Sequence, residues 1–271
     1  SPRMNSTNNF RKLGAVDLTF VKRGESRHTF APIRMVNPPV NAGSHDLRTG
    51  IVESLAIAAQ KNVAGAVIYG AGGTFMAGSD LKEFGRPLND PQLPAVISSI
   101  ENASLPVVAA IQGVALGGGF ELALGCDYRF ADGGAKVGLP EVSLGMNPGA
   151  GGTQRVPRLA GLPNALDLIC SAKSVFSGKA LELGLVDNID DDPIEAGLAA
   201  VVSGIPKRLA MDLAVPQPDR ERLAGAKQAA LRNLKRLPNI AEAIRLVELS
   251  QSKDGRAVLT EERKVFQALR V

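Results

Sequence analysis

The sequence contains no tryptophan and only two tyrosines in 271 residues, so aromatic side chains make up 4% of the chain. Proteins that bind single-stranded nucleic acid stack bases on aromatic rings along a basic groove, and no cluster here alternates Lys or Arg with aromatics. The net charge of +4 is compatible with RNA or with a polyanionic small molecule, but a simple surface excess explains it best. We therefore expect no nucleic acid as a partner.

Cysteine and histidine are also scarce, with two residues of each type. Cys126 and Cys170 stand in apolar stretches without the spacing of metal ligands, which predicts reduced core residues and no disulfide framework. His28 and His45 are too few and too isolated for a typical metal centre. The sequence thus predicts no metal site.

Long apolar runs are missing too: no apolar stretch reaches the length of a membrane span. No signal peptide is visible either. We expect no membrane association and a cytoplasmic location, with a peroxisomal one as the alternative if the chain is an excised domain. The length allows one large domain, or one domain with a helical extension. Residues 1–9 are interpreted as an expression remnant followed by a disordered tail.

The stretch IQGVALGGGFELALGCD, residues 111–127, stands out against this background. The apolar run over residues 107–111 predicts a buried strand, and three glycines at 117–119 precede a helical pattern that contains Glu121. Glycines at a helix start cost backbone entropy, so their presence needs a compensating reason. One such reason is a ligand: without side chains, a negatively charged oxygen can lie against the unpaired N–H groups at the positive end of the helix. The stretch therefore indicates an oxyanion site beside a carboxylate. Tight helix packing with a solvated glutamate is the alternative, and the stretch alone leaves both open.

Hydrophobic periodicity and turn residues predict the rest of the secondary structure. Strands are expected over residues 15–22, 27–36, 64–69, 107–111, 127–131, 136–138 and 185–189. Helices are expected over residues 44–62, 95–102, 120–124, 163–171, 193–203, 220–236, 240–252 and 256–269. The first two strands, and the two strands within residues 127–138, are each predicted to form a hairpin. Strands and helices alternate through the front of the chain, which predicts an α/β class.

Three segments now occur in one order: FMAGSDLKE at residues 75–83, the glycine-rich stretch at 111–127, and GLPEVSLGMNPGAGGTQR at 138–155. Together they resemble the crotonase (enoyl-CoA hydratase/isomerase) superfamily, most closely the hydratase/isomerase part of multifunctional fatty-acid β-oxidation enzymes. The resemblance implies an α/β fold, a spiral of ββα units with two near-perpendicular sheets flanked by helices and a helical C-terminal region. It places the spiral core in residues 10–203 and the helical region in residues 204–271.

The resemblance also implies the functional residues. Glu121 and Glu141 match the two catalytic carboxylates, the first mainly activating water and the second mainly protonating the α-carbon. The backbone N–H groups of Ala77 and Gly118 match the oxyanion hole, and the Gly149 amide matches a group near the catalytic water. The implied substrate-binding residues are Ala77, Gly78, Ser79, Asp80, Leu81, Gly117 and Gly118.

These residues predict an enoyl-CoA hydratase that adds water to trans-2-enoyl-CoA to give 3-hydroxyacyl-CoA in fatty-acid β-oxidation. The alternatives are an enoyl-CoA isomerase that shifts the double bond, and a non-catalytic or RNA-binding homologue. A crotonase for another acyl-CoA would usually place Asp, Ser or His in the pocket, and none stands at the motif positions of the two carboxylates.

Coenzyme A would enter as part of the acyl-CoA substrate, so no separate cofactor is expected. The resemblance implies a homotrimer or a hexamer. Residues 204–271 contain no glycine-rich dinucleotide fingerprint. We therefore expect a stand-alone hydratase or an excised hydratase domain, without NAD chemistry.

Overall fold

The computed structural model describes residues 9–23, 28–233, 237–252 and 254–270. The predicted tail, apart from Asn9, and most of the turn predicted between the first two strands lie outside these residues. The strands are β1 (Arg11–Leu13), β2 (Val16–Leu18), β3 (Val21–Lys22), β4 (Thr29–Met35), β5 (Gly65–Gly70), β6 (Met76–Ala77), β7 (Val107–Ile111), β8 (Val114–Leu116), β9 (Tyr128–Ala131), β10 (Lys136–Gly138), β11 (Val175–Phe176) and β12 (Asn188–Ile189). The α-helices are α1 (His45–Gln60), α2 (Leu93–Asn102), α3 (Gly118–Gly125), α4 (Gly152–Ala160), α5 (Leu162–Ser171), α6 (Ser177–Glu182), α7 (Pro193–Val202), α8 (Arg220–Leu231), α9 (Ile240–Leu249) and α10 (Gly255–Leu269).

The strands form two sheets. The larger sheet has the order β1-β2-β4-β5-β7-β9-β12, with β3 paired to β4, and the smaller has the order β11-β10-β8-β6. Three successive passages of the chain repeat one plan, in which a strand of the larger sheet is followed by a strand of the smaller sheet and a helix. These passages are β5-β6-α2, β7-β8-α3 and β9-β10-α4. The repeat is a spiral of ββα units, and the predicted fold class is confirmed.

The hairpin predicted within residues 127–138 was wrong. Strand β9 pairs in parallel with β7 and β12, while β10 pairs with β8 and β11 in the other sheet. The Asp132 carboxylate accepts the Gly134 N–H at 3.0 Å, so the residues between the strands do form a local turn. That turn carries the chain from one sheet to the other, because each flanking strand has its partners elsewhere.

The N-terminal hairpin is confirmed, since β2 and β4 pair antiparallel. The strand expected over residues 15–22 is divided into β2 and β3. The elements that were not predicted are β1, β6, β8, β11, α4 and α6. Ser44 caps α1 as expected, because its Oγ accepts the Leu47 N–H at 3.3 Å.

Helix α8 ends at Leu231, earlier than predicted. No helix among the described residues is long and apolar enough to cross a membrane.

The core fixes the central strand–glycine–helix unit. Strand β7 and helix α3 are buried throughout, and Gly113 links β7 to β8 with a φ of 62°. A methyl group on Gly113 would lie 2.5 Å from the Gly73 carbonyl oxygen, so both the conformation and the close approach require glycine. Helix α3 packs against β6 and β8 of the smaller sheet and β9 of the larger one. Cys126 and Cys170 are buried free thiols, as predicted.

Candidate active site

One cavity of about 290 Å³ brings the three glycine-rich segments together. Its wall contains every residue that the sequence predicted for catalysis or substrate binding. These are Ala77, Gly78, Ser79, Asp80, Leu81, Gly117, Gly118, Glu121, Glu141 and Gly149. Helix α10 adds Arg263 and Phe266 to the wall, and Arg270 at its C-cap lines it too; the sequence patterns did not indicate these. The cavity is therefore the candidate active site.

Glu121 lies in the first turn of α3 and is only 3% exposed. Its Oε2 accepts the Ala150 N–H at 2.7 Å and the Gly152 N–H at 2.8 Å. Burial raises the pKa of the Glu121 carboxyl, while these two amides oppose the rise by stabilising the charged form. Its Oε1 accepts no hydrogen bond from the described residues, which leaves this oxygen available to a water molecule.

Glu141 begins the 3-10 turn Glu141–Leu144. Its Oε2 is shielded from solvent and has no hydrogen-bond partner among the residues that the structure describes. Burial raises the pKa of Glu141 well above its usual value, and the nearby Glu121 charge raises it further. Glu141 therefore holds its proton more firmly than Glu121, whose anion is stabilised by two N–H groups. Two carboxyl groups with different proton affinities in one cavity can serve as base and acid.

Glycines at the start of α3 let backbone lie beside these carboxyl groups. Gly117 has a φ of 57°, and a methyl group there would come within 3.0 Å of Glu141 Oε1. A methyl group on Gly119 would overlap the Met76 carbonyl oxygen, so glycine allows α3 to approach β6. The Gly118 N–H, at the amino end of α3, donates to no acceptor in the described part of the chain. This N–H is free to meet a ligand oxygen.

The loop after β6 contradicts the prediction for Ala77. The Ala77 N–H donates to the Val40 carbonyl at 2.9 Å, and the Gly78 N–H donates to a β8 carbonyl at 2.9 Å. Within the described ranges, the Ser79 N–H donates to no acceptor. A methyl group on Gly118 would lie 3.6 Å from the Ser79 hydroxyl, so the two residues are neighbours. Because Val40 occupies the Ala77 N–H, the free donor opposite Gly118 belongs to Ser79.

Gly149 lies where the loop before α4 meets α10. A methyl group on Gly149 would overlap the Phe266 ring, so glycine permits this contact. The Gly149 carbonyl accepts a hydrogen bond from Arg263 Nη1 at 3.4 Å. Among the described residues, the Gly149 N–H has no acceptor. It is free to contact a water molecule, and its role beside the catalytic water stays a prediction.

Three arginines line the cavity, and each is held by other residues of the chain. Arg263 donates to Gln92 Oε1 at 2.8 Å, and burial lowers the pKa of its guanidinium. Arg48 pairs with the Glu83 carboxylate at 2.8 Å, and Arg270 donates to the Glu83 carbonyl. In the part of the chain that the structure covers, no group of three or more His, Cys, Asp or Glu could hold a metal ion. The cavity wall combines guanidinium groups, carboxyl groups and backbone N–H donors.

The chain belongs to the Enoyl-CoA hydratase/isomerase family, whose model matches residues 25–198. It is similar to the peroxisomal bifunctional enzyme of Danio rerio, with 45% identity over 198 residues, which cover 71% of this chain and 28% of that protein. The peroxisomal bifunctional enzyme of Homo sapiens is 48% identical over 174 residues, which cover 63% of this chain and 24% of that protein. The chain thus spans about a quarter of the length of these relatives.

Solved structures of similar proteins share the fold. The crystal structure of enoyl-CoA hydratase from Thermoplasma volcanium matches with a TM-score of 0.61 and 25% identity, covering 93% of this chain and 91% of that chain. The enoyl-CoA hydratase from Bacillus anthracis matches with a TM-score of 0.57 and 27% identity, covering 92% and 89% of the two chains. The resemblance seen in the three sequence segments is therefore confirmed at the level of the family and its fold.

Proposed function

We propose that this chain adds water to a trans-2-enoyl-CoA to give a 3-hydroxyacyl-CoA, the hydration step of fatty-acid β-oxidation. The observation that carries the proposal is one cavity that holds Glu121 and Glu141, with different proton affinities, and the free N–H groups of Ser79 and Gly118. Membership of the family and the names of the solved relatives support the same reaction.

The two free N–H groups would receive the thioester carbonyl oxygen. A trans-2-enoyl thioester resists water until its carbonyl oxygen can accept negative charge as an enolate. The backbone donors of Ser79 and Gly118 are held by the fold before substrate arrives, so they need no reorganisation as the charge develops. One such donor is typically worth about 10²–10³ in rate. In this proposal Ser79 takes the place that the sequence had assigned to Ala77.

The two carboxyl groups would handle the protons. Glu121, the more easily ionised of the two, takes a proton from water as the water oxygen bonds to the β-carbon. The electron pair of the double bond moves to the carbonyl oxygen and then returns to the α-carbon, which takes the proton held by Glu141. Proton exchange with solvent restores the pair. Atoms and charge balance without another reactant, so no separate cofactor is required.

The wall of the cavity suits a coenzyme A thioester. Arg263 and Arg270 provide positive charge for its phosphate groups, whereas Arg48 is already paired with Glu83. Leu81 and Leu144, which are 75% and 66% exposed, provide apolar surface for the pantetheine arm or the acyl chain. We also propose a homotrimer or hexamer, as the family resemblance implies. A peroxisomal location is proposed as well, and the names of the curated relatives support it.

A hydration assay tests the proposal. The purified chain is mixed with trans-2-enoyl-CoA substrates of increasing acyl length, loss of the conjugated thioester absorbance is followed, and the product is identified by mass spectrometry. We expect formation of 3-hydroxyacyl-CoA, with one oxygen atom derived from labelled water. A folded chain that hydrates none of these substrates would overturn the proposal. Conversion of a trans-3-enoyl-CoA without any hydration would instead support the isomerase alternative.

A further inference from the structure

Glu262 is a buried carboxyl group that the proposed reaction does not use. It lies on α10, is 0% exposed, and is bonded to the residues that begin α4. It accepts the Gly151 N–H at 2.5 Å and the Thr153 N–H at 3.0 Å, and the Thr153 hydroxyl also donates to it. Three donors from one short segment thus converge on one side chain from a helix more than a hundred residues away in sequence.

The donors of this segment alternate between two carboxyl groups. The N–H groups of Ala150 and Gly152 point to Glu121, whereas those of Gly151 and Thr153 point to Glu262. The segment is therefore clamped from both sides. A shift of the segment away from Glu262 would move the two amides that orient Glu121.

The local sequence does not fix this segment by itself. It contains Gly149, Gly151 and Gly152, and glycine loses more conformational freedom on folding than any other residue. The residue before α4 is Gly151, which has no side chain to cap the helix. Glu262 supplies the missing acceptor from α10, and it is the side chain that binds the Gly151 N–H.

We propose that Glu262 is a positioning residue for hydration, because it holds Gly151 and Thr153 so that the Ala150 and Gly152 amides orient the Glu121 carboxylate. The inference rests on the proposed function. Burial raises the pKa of Glu262 to about 8, and repulsion from the Glu121 charge contributes to this rise. The two carboxyl groups on either side of the segment therefore interact electrostatically. Glu262 does not line the cavity that holds Glu121 and Glu141, and it therefore acts through Glu121.

The test compares two neighbouring substitutions, Glu262→Gln and Glu261→Gln. Glutamine keeps the volume of Glu262 but turns an NH₂ group toward backbone donors, so the segment loses one of its acceptors. Glu261 is the matched control, because it lies one residue away on the surface, in an ion pair with Arg245. In steady-state hydration we expect Glu262→Gln to lower kcat about 10-fold or more with little change in KM. Glu261→Gln should leave both constants unchanged.

A double-mutant comparison separates positioning from a general structural role. If Glu262 acts through Glu121, adding Glu262→Gln to Glu121→Gln should cause no further loss of kcat. A group that only stabilises the fold would lower the active fraction by the same factor in both backgrounds. If Glu262→Gln does not fold, Thr153→Val is used in its place. It removes the hydrogen bond from the Thr153 hydroxyl to Glu262 and should also lower kcat.

Two failures can be told apart in this experiment. If the parent chain does not hydrate any trans-2-enoyl-CoA, the proposed function fails and this inference fails with it. If the parent hydrates its substrate and Glu262→Gln, or Thr153→Val in its place, retains near-parental kcat, the positioning role alone is overturned. Equal losses in the parent and Glu121→Gln backgrounds would overturn it as well.

Discussion

Gly152, the first residue of α4, donates its N–H to Glu121 Oε2 on α3 at 2.8 Å. A methyl group on Gly152 would lie 3.2 Å from the same oxygen, so a larger residue would crowd the carboxylate. The contact fixes one oxygen of Glu121 and leaves Oε1 without a partner among the described residues. The base proposed for hydration is thus oriented by backbone, and its free oxygen is the one that can take a proton from water.

The first prediction concerns the Gly118 N–H. Gly118→Pro removes this donor at the first position of α3, where proline fits a helix, so the loss should fall on catalysis rather than on helix formation. We expect kcat to fall by about 10²-fold or more. Gly118→Ala is the control, because it keeps the N–H; its methyl group would lie 2.8 Å from the Cδ2 end of the Leu93 side chain and 3.6 Å from the Ser79 hydroxyl. A folded Gly118→Pro chain, checked by circular dichroism, that retains most of its turnover would remove this N–H from the mechanism.

The second prediction concerns a buried ion pair near the site. Arg155 and Glu101 are bonded at 2.8 Å, and each side chain is 3% exposed. Glu101→Gln leaves the Arg155 charge without its partner, so the free energy of unfolding should fall by about 3–5 kcal/mol in urea titration. Glu182→Gln breaks the exposed pair with Lys179 and should cost less than about 1 kcal/mol. Equal losses in the free energy of unfolding for the two variants would contradict the claim that burial makes the Arg155–Glu101 pair more costly to break.

The third prediction concerns the pH dependence of stability. The pKa of Glu262 rises from 4.5 to about 8 on folding, chiefly through burial. The folded chain therefore binds this proton more tightly than the unfolded chain. Its stabilisation is complete below the unfolded pKa and is lost as pH rises through the folded pKa. Each pH unit in this window changes the free energy of unfolding by up to about 1.4 kcal/mol per proton.

Comparison with Glu262→Gln isolates this contribution. We expect the difference in free energy of unfolding, parent minus variant, to decrease between about pH 5 and about pH 8 when measured by urea titration. A difference that stays constant over this range would show that Glu262 does not change its proton affinity on folding. Glu121 and Glu141 also have raised pKa values, so Glu262→Gln should retain part of the parental slope.

The sequence predicted correctly those features of the fold and the site that depend on residues close together in the chain. The three glycine-rich segments identified the family, and both Glu121 and Glu141 lie in the cavity that they form. Turn chemistry correctly predicted a turn at Asp132 but could not tell which strands would pair, because partner choice depends on the two sheets. The hairpin expected there was wrong for that reason.

Two parts of the site depend on contacts between distant segments. The free N–H of Ser79, rather than Ala77, follows from the hydrogen bond between Ala77 and Val40, which no pattern in the loop reveals. Glu262 has the same residue type as its exposed neighbour Glu261, and only the packing of α10 against α4 separates them. Helical periodicity places both on one helix without saying which of them binds the Gly151 N–H.

The central claim is that Glu121 and Glu141 act together on one water molecule. The most direct measurement is kcat for hydration of crotonyl-CoA, or of a longer trans-2-enoyl-CoA that the parent accepts, by Glu121→Gln, Glu141→Gln and the double variant. Glutamine keeps the volume but removes proton exchange, so each single variant should lose at least about 10²-fold in kcat. The double variant should be hardly worse than the weaker single one. Near-parental kcat in either folded single variant would contradict the two-carboxylate mechanism.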